Sequence, residues 1–151
     1  MRELILLRHA HADAAELDGI DLERPLSTRG RIEASHAAAR LLAQGLVPDL
    51  VLYSPAARTR ETAELLRTAL GLPLLAFREI GALYLAAAPI LRLQIAAIEP
   101  QVHRLLIVGH NPGLSELADQ MHPRQRGTVL VNAGYVHLSI DGSSWRSVAP
   151  A

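Results

Sequence analysis

The sequence predicts a three-layer α/β fold in which helices cover both faces of a mainly parallel sheet. Short apolar runs that lack polar alternation are typical of strands buried on both faces. These runs alternate along the chain with longer segments of helical character, as in repeated strand–helix units. The chain has 151 residues, half of them hydrophobic, which predicts a single domain spanning residues 1–151.

The first third of the chain predicts a strand, a loop and a helix. Residues 3–8 form an apolar run that stops at a polar cluster, which indicates a buried strand. Residues 10–26 contain acidic residues, glycine and proline, and they predict a loop. Ser27 or Thr28 then caps a helix that runs to about Gly45. The expected inner face of this helix carries Ile32, Ala39 and Leu42.

The middle of the chain repeats the strand–helix order. Residues 49–53 form a second apolar run and predict a second buried strand. Ser54-Pro55 predicts a cap followed by proline at the first helical position, in a helix that ends at Leu70. A brief apolar piece at residues 74–77 predicts a third strand. Residues 89–98 predict a third helix.

The last third predicts a final strand–helix unit and an antiparallel edge. Residues 103–109 are the clearest buried strand, and Asn111-Pro112 opens a helix that runs through Met121. Residues 135–140 alternate between apolar and polar side chains, which is typical of a strand with one solvated face. Asp141-Gly142 then predicts a turn, so we expect an antiparallel hairpin at the edge of the sheet.

Composition excludes several classes of protein. The chain has no cysteine, which removes disulfides, thiolate nucleophiles and thiolate metal sites together. All fifteen basic residues are arginine, so a phosphate-binding loop ending in Gly-Lys-Ser/Thr and Schiff-base chemistry are excluded as well. Few aromatic residues and a net charge of zero argue against a nucleic-acid-binding surface.

The same pattern gives an expectation for location. No apolar stretch approaches the ~20 residues that a bilayer span needs. The apolar run near the start is too short for the core of a signal peptide. We therefore expect a cytoplasmic protein that binds neither membranes nor nucleic acid.

Polar residues follow three of the predicted strands at their carboxyl ends. Arg8 and His9 close the first strand, Arg58 lies just beyond the second, and His110 and Asn111 follow the clearest one. Ligands of open parallel sheets bind at this edge, so we expect these side chains to converge there. Arginine in the first turn of a helix lies at the positive end of the helix dipole, which is unfavourable. A nearby anion would offset this unfavourable interaction. The sequence therefore predicts an oxyanion site.

These residues match a known family. Residues 7–10, Leu-Arg-His-Ala, resemble the N-terminal Arg-His-Gly motif of the histidine phosphatase superfamily, which includes the phosphoglycerate mutases. Residues 54–63 are similar to its second motif, residues 108–111 to its third, and residues 24–30 to the segment that joins the first two. The chain is short and has no cap insertion, so it looks most like the phosphohistidine phosphatase branch. Ala10 stands where glycine is usual.

The resemblance implies a mechanism. His9 is expected to attack phosphorus and become a phosphohistidine, which water then hydrolyses. Arg8, Arg58 and His110 are expected to surround the phosphoryl oxygens, with Asn111 also binding phosphate. No metal or other cofactor is implied. The expected substrate is a phosphorylated protein such as a histidine phosphocarrier, and the superfamily also includes phosphatases of small phosphoesters.

The general acid is the least defined part of this expectation. The superfamily usually places an acidic residue late in the third strand–helix connection, where this chain has Glu79. Glu79 is therefore the candidate acid, although the position also suits an exposed residue at a helix start. A phosphoramidate leaving group can be protonated before cleavage, so phosphohistidine requires such an acid less than an alkyl ester does. Glu61 is expected to orient Arg58 or Arg60.

Two further readings remain open at this stage. His9, His11 and Asp13 approach the His-x-His-x-Asp-His pattern of binuclear zinc hydrolases, but Ala14 stands in place of the last histidine. That reading leaves the arginines beside a dication, which is electrostatically costly. A non-catalytic module that binds a phosphorylated protein would use the same pocket. Retention of two histidines favours catalysis, because arginines alone would serve binding.

Overall fold

The computed structural model describes residues 1–122, 124, 127 and 129–151. In that part of the chain, five strands and four α-helices alternate in the predicted order. They are β1 (Arg2–Arg8), α1 (Thr28–Ala43), β2 (Leu50–Tyr53), α2 (Ala57–Leu70), β3 (Phe77–Glu79), α3 (Ala88–Ala96), β4 (Arg104–Gly109), α4 (Gly113–Met121) and β5 (Tyr135–Ile140). None of the helices within the described ranges is long and apolar enough to cross a membrane.

The sheet has the strand order β3-β2-β4-β1-β5. β1 and β4 are parallel neighbours at its centre, and β2 and β3 continue the parallel part. β5 pairs antiparallel with β1 and forms the edge strand. The predicted mainly parallel sheet with an antiparallel edge is thus confirmed. The carboxyl ends of β1, β4 and β2 meet at one side of the sheet.

Helices cover both faces of this sheet, which confirms the three layers. On one face, α1 and α2 pack on the alternate strand residues Ile5, Leu7, Val51, Leu106 and Val108. On the other face, α3 and α4 pack on Leu4, Leu6, Leu52, Leu105 and Ile107. Successive strand residues point to opposite faces, so two-sided burial explains the unbroken apolar runs in the sequence.

The inner face of α1 was predicted wrongly. Ile32, Ala39 and Leu42 are all exposed, and the buried stripe consists of Gly30, Ala34, Ala37, Ala38 and Leu41. The prediction weighted the large aliphatic side chains, whereas the helix turns its small residues toward α2 and the sheet. Alanine at spacings of three and four residues forms one face of the helix, and its small side chain lets the backbone of α1 approach α2 and the sheet closely. Ser27 does cap this helix, since its side chain accepts a hydrogen bond from the backbone N–H of Gly30.

Three other boundaries differ from the prediction. Helix α2 begins at Ala57, because the Ser54 hydroxyl accepts from the backbone N–H of Ala56 and forms a turn before the helix. Residues 74–76 form a 3₁₀ turn, and the third strand follows it. β5 pairs with β1 and not with a later strand, so within the described residues the expected hairpin is replaced by a 3₁₀ turn at Trp145–Val148.

Two glycines allow backbone segments to approach closely beside the sheet edge. A Cβ on Gly30 would lie 1.9 Å from the carbonyl oxygen of His11, and a Cβ on Gly113 would lie 1.8 Å from that of Ala86. Any larger residue would have to push these segments apart. The first contact holds α1 against the loop that follows β1. The second holds the start of α4 against the segment before α3.

Candidate active site

A polar cavity of about 280 Å³ lies at the carboxyl ends of β1 and β4. Histidines and arginines dominate its described walls, which are formed by Arg8, His9, His11, Ala12, Arg24, Arg58, Leu85, His110, Asn111 and Asn132. The strand topology explains this composition. β1 and β4 are neighbours, and β2, which leads into α2, lies beside β4. Residues that follow these strands therefore reach the same space.

His9 follows β1 and is held in one tautomer. Its backbone N–H donates to the carbonyl of Gly109 at 3.1 Å, which fixes the residue against the end of β4. Its Nδ1 lies 2.7 Å from the carbonyl oxygen of Ala10. A carbonyl can only accept, so Nδ1 carries the proton and Nε2 keeps its lone pair.

The surroundings of His9 favour the neutral ring. Burial is the main cause that lowers its pKa to about 4, the hydrogen bond to Ala10 opposes this, and the charges of Arg58, Arg8 and Arg24 act with burial. The imidazole is therefore uncharged at neutral pH. A neutral imidazole with a free Nε2 lone pair is the form that can act as a nucleophile.

His110 lies beside His9, with 5.4 Å between the ring centroids. Its Nε2 is 2.8 Å from the hydroxyl oxygen of the fully buried Ser54, and its Nδ1 is 3.4 Å from a terminal nitrogen of Arg58. A guanidinium only donates, so Nδ1 accepts and Nε2 donates to Ser54. Burial, followed by the charge of Arg58, lowers the pKa of His110 to about 3.

Arg58 lies in the first turn of α2, with only 3% of its side chain exposed. Its guanidinium donates twice to Asp21, to the backbone carbonyl and to the Oδ2 atom, both at 2.9 Å. Tyr84 donates to the same Oδ2 at 2.5 Å. These contacts, with that of Arg24, hold the pKa of Asp21 far below its usual range, with the Tyr84 bond as the largest cause.

Arg8 is fixed by the segment that precedes β5. One terminal nitrogen donates to the carbonyl of Leu130 at 3.1 Å. The same carbonyl accepts from the side-chain amide of Asn111 at 2.8 Å, while the other end of that amide accepts from Ser115. Asn132 donates to the backbone carbonyl of His9 at 3.4 Å. The segment before β5 therefore closes one wall of the cavity.

Ala10 fits the position where the related motif has glycine. It is completely buried, and its N–H donates to the hydroxyl of Thr62 at 3.2 Å. Thr62 in turn donates to the carbonyl of Arg58. Among the described residues other than glycine, only Leu85 and Ala133 have positive φ. The loop therefore does not require glycine at Ala10, and the alanine is accommodated without backbone strain.

Comparison with protein families identifies the chain. Residues 4–81, slightly more than half of it, match the model of the histidine phosphatase superfamily, branch 1. The chain belongs to this superfamily. An uncharacterised chloroplastic protein of Arabidopsis thaliana is 33% identical over 154 aligned positions, which cover 95% of this chain and 69% of the relative.

Among solved structures, this chain is similar to SixA proteins. A protein described as the putative phosphohistidine phosphatase SixA from Agrobacterium tumefaciens has a TM-score of 0.82 and 28% identity, over 90% of each chain. A protein histidine phosphatase SixA complexed with tungstate has a TM-score of 0.83 at 22% identity, over 97% of this chain and 91% of that one. A mycobacterial glucosyl-3-phosphoglycerate phosphatase shares the fold, with a TM-score of 0.70 at 20% identity over 99% and 95%.

The structure brings together five of the six predicted site residues. Arg8, His9, Arg58, His110 and Asn111 all line the cavity. Glu79 does not line it. This residue is exposed at the end of β3, the edge strand opposite to β5, and β2 separates β3 from β4. Asn111 uses its amide to hold neighbouring segments, so it braces the wall as well as facing the cavity.

Glu61 does not orient Arg58 or Arg60, contrary to expectation. Its Oε2 accepts from the backbone N–H of Leu26 at 2.7 Å, and its Oε1 lies 3.8 Å from Arg31. Glu61 therefore ties α2 to the loop before α1. The carboxylate that does contact Arg58 comes from residue 21, in a 3₁₀ turn within a segment predicted only as a loop.

Sequence reasoning missed Asp21 and Tyr84. It placed Ser54 at the end of the second strand, as a helix cap and the start of the second motif, but did not predict its contact with His110. One signal for Asp21 was available: a cation at a helix N-terminus requires a nearby anion, and an acidic loop precedes α1. Nothing in the sequence distinguishes Asp21 from the other acidic residues of that loop. The histidine, aspartate and glutamate residues described here include no group of three placed to hold a metal ion.

Proposed function

We propose that this histidine phosphatase hydrolyses phosphohistidine on proteins, through a covalent intermediate on His9 and without a metal ion. The observation that carries the proposal is the state of His9: a neutral ring whose Nε2 lone pair is unused among the described residues, with three arginines and His110 lining the same cavity. The resemblance to a putative phosphohistidine phosphatase at 28% identity supports the substrate class.

The reaction follows two displacements at phosphorus. In the first, the Nε2 lone pair of His9 bonds to phosphorus and the bond from phosphorus to the substrate nitrogen breaks. That nitrogen takes the bonding electron pair, and the other ring nitrogen of the substrate imidazole carries the proton, so the leaving group is neutral. In the second, water attacks the phosphorylated His9, inorganic phosphate leaves, and Nε2 recovers its lone pair. Splitting one difficult hydrolysis into two transfers is the advantage of covalent catalysis.

The walls of the cavity supply the charge that this chemistry needs. The guanidinium groups of Arg8 and Arg58 can each donate to two oxygens at once. His110 is neutral in the free protein, because burial and Arg58 disfavour its charged form. An arriving phosphoryl group carries negative charge and favours uptake of a proton by His110. That residue then adds a third positive group around phosphorus.

The character of the leaving group favours phosphohistidine over an alkyl ester. The described walls of the cavity contain no carboxyl group. Asp21 lies behind Arg58 and is held ionised, so it is a poor proton donor. An alkoxide needs a proton from an acid, whereas a phosphoramidate nitrogen can be protonated by solvent before cleavage.

A small phosphoester remains the second candidate, because it presents the same phosphoryl group. A cytoplasmic location stays a prediction from the sequence.

A turnover comparison in excess EDTA tests the proposal. We expect a phosphorylated histidine phosphocarrier to be dephosphorylated faster than p-nitrophenyl phosphate or a sugar phosphate, with rates unchanged by the chelator. Phosphate release and loss of phosphohistidine are measured together. Faster turnover of the small esters would make the second candidate the function. Loss of activity in EDTA that added zinc restores would instead support a metal hydrolase.

Glu79 provides a test of the missing acid. We expect Glu79→Gln to change turnover of phosphohistidine by less than about threefold, because this exposed side chain does not line the cavity. Initial rates at saturating and limiting substrate measure the effect, and Glu99→Gln on the same protein surface serves as a matched control. A loss near the 10²–10⁴-fold range of general acid catalysis would identify Glu79 as the acid.

A further inference from the structure

Asp21 connects three residues of the site through one carboxylate. Its Oδ2 accepts from Arg58 and from Tyr84, and its Oδ1 accepts from Arg24 at 3.1 Å. The backbone carbonyl of the same residue accepts from Arg58 as well. Both arginines line the cavity, whereas the carboxylate lies outside its described walls. Asp21 therefore contacts the phosphate-binding groups and not the phosphate position.

The position of Arg58 explains why such a partner is needed. The side chain is almost fully buried, and it lies in the first turn of α2, where the positive end of the helix dipole disfavours a cation. A buried charge without a partner strongly destabilises a folded protein. The phosphoryl group is present only during turnover. The free protein therefore holds Arg58 with a permanent anion, and that anion is Asp21.

Tyr84 fixes the orientation of this anion. Its hydroxyl donates to Asp21, and its ring meets the ring of His110 edge-on, with 5.6 Å between the centroids. His110 lies next to Arg58, so the four side chains form a closed ring of contacts. Tyr84 directly follows a 3₁₀ turn after β3, and Asp21 begins another within the loop before α1. Two irregular segments thus define one arginine position.

We infer that Asp21 is a positioning residue for phosphoryl transfer: it holds the guanidinium of Arg58 at the cavity wall, and Tyr84 fixes the carboxylate that does so. The inference rests on the proposed function. Asp21 acts through Arg58, so it affects the alignment of that donor with the phosphoryl oxygens. Alignment matters most in the transition state, where charge on these oxygens is stabilised by fixed donors.

A double-mutant cycle tests whether Asp21 acts through Arg58. Asp21→Asn keeps the size of the side chain and one acceptor but removes the charge. We expect this change to lower kcat about tenfold while KM changes less than about threefold. In a chain that already carries Arg58→Ala, the same change is expected to lower kcat less than about twofold. Equal effects in both backgrounds would overturn the inference, as would unchanged turnover in the single variant.

Two further variants separate positioning from general effects. Asp18→Asn removes the same charge from the same loop at an exposed position, and its kcat is expected to match the unmodified protein. Tyr84→Phe keeps the ring against His110 and removes only the hydroxyl, so we expect a smaller loss of kcat in the same direction as Asp21→Asn. If Asp18→Asn lowered kcat as much as Asp21→Asn, the effect would come from the overall charge of the loop, and the inference would be overturned.

Equilibrium binding of inorganic phosphate separates this inference from the proposed function. Titration calorimetry of the same four chains in the cycle needs no turnover, and the melting temperature of each chain confirms folding. We expect Asp21→Asn to shift the phosphate dissociation constant at least about threefold when Arg58 is present and less than about 1.5-fold when it is absent. That outcome in a protein without phosphatase activity would support the positioning role and overturn only the proposed function. Equal shifts in both backgrounds would overturn the positioning role.

Discussion

Replacement of His9 by alanine is expected to abolish both turnover and covalent capture of phosphate. Within the described structure the Nε2 lone pair of His9 is unused, because Nδ1 donates to Ala10 and burial keeps the ring neutral. His110 cannot replace it, since its Nδ1 faces Arg58 and its Nε2 donates to Ser54. Without a nucleophile the two-step route is closed, so we expect a loss of at least about 10⁴-fold, near the detection limit of the assay.

The adduct itself provides the measurement. The protein is mixed briefly with phosphorylated substrate, denatured in base, digested and analysed by mass spectrometry. We expect phosphate on His9, labile to acid and stable to base, as a phosphoramidate is. His36→Ala, at an exposed histidine of α1, is the matched control and should keep both adduct and turnover. Full turnover by His9→Ala would refute the nucleophile assignment. Tight binding of phosphorylated partners without turnover by the unmodified protein would favour the binding module.

The part of the site that was predictable from sequence lies at the ends of regular strands. Arg8, His9 and His110 each end or follow an apolar run that is long enough to be recognised as a buried strand. The position of a residue relative to such a run is a local property. Their convergence needs one further rule, that ligands of a parallel sheet bind at its carboxyl edge. The same rule predicted the position of Arg58, which lies in the first turn of the helix that follows β2.

The remainder of the site depends on contacts that the sequence does not encode locally. Asp21 and Tyr84 are 63 positions apart and belong to irregular segments, so no periodic pattern marks either of them. The dipole of α2 did indicate an anion beside Arg58. That anion was expected to be the ligand, and the structure supplies an internal carboxylate at that position. The charge of Arg58 therefore has a partner in Asp21 before any substrate is present.

Errors in the fold have a similar origin. The buried stripe of α1 was assigned to the larger side chains, but a helix that lies close to its neighbours buries alanine instead. The turn signal at Asp141-Gly142 was interpreted as a hairpin. It ends the edge strand, and the chain then packs Trp145 under the sheet, where the indole N–H donates to the carbonyl of Val102. In both cases tertiary packing outweighed the local pattern on which the prediction was based.

Replacement of Arg58 by alanine is expected to reduce kcat/KM by about 10²–10³-fold, the range observed when one fixed donor to a transition state is lost. This side chain lines the cavity and contacts His110. Of the two cavity arginines that pair with Asp21, Arg58 is more deeply buried than Arg24. Both binding and transition-state stabilisation should weaken, because a charge in a water-poor site contributes more than one in water. Phosphate affinity by calorimetry and steady-state rates separate the two effects.

The loss should not come from unfolding. Removing Arg58 takes a cation away from the positive end of the α2 dipole, which is locally favourable. Asp21 keeps its bonds from Tyr84 and Arg24, and its side chain is 43% exposed, so water solvates the charge that remains. We therefore expect the melting temperature to stay close to that of the unmodified protein. The matched control is Arg60→Ala, at an exposed arginine two residues further along α2. We expect this change to leave kcat/KM within about twofold of the unmodified protein. Retention of turnover by Arg58→Ala would show that Arg8 and His110 suffice to stabilise the transferred group, and the oxyanion role of Arg58 would then be wrong.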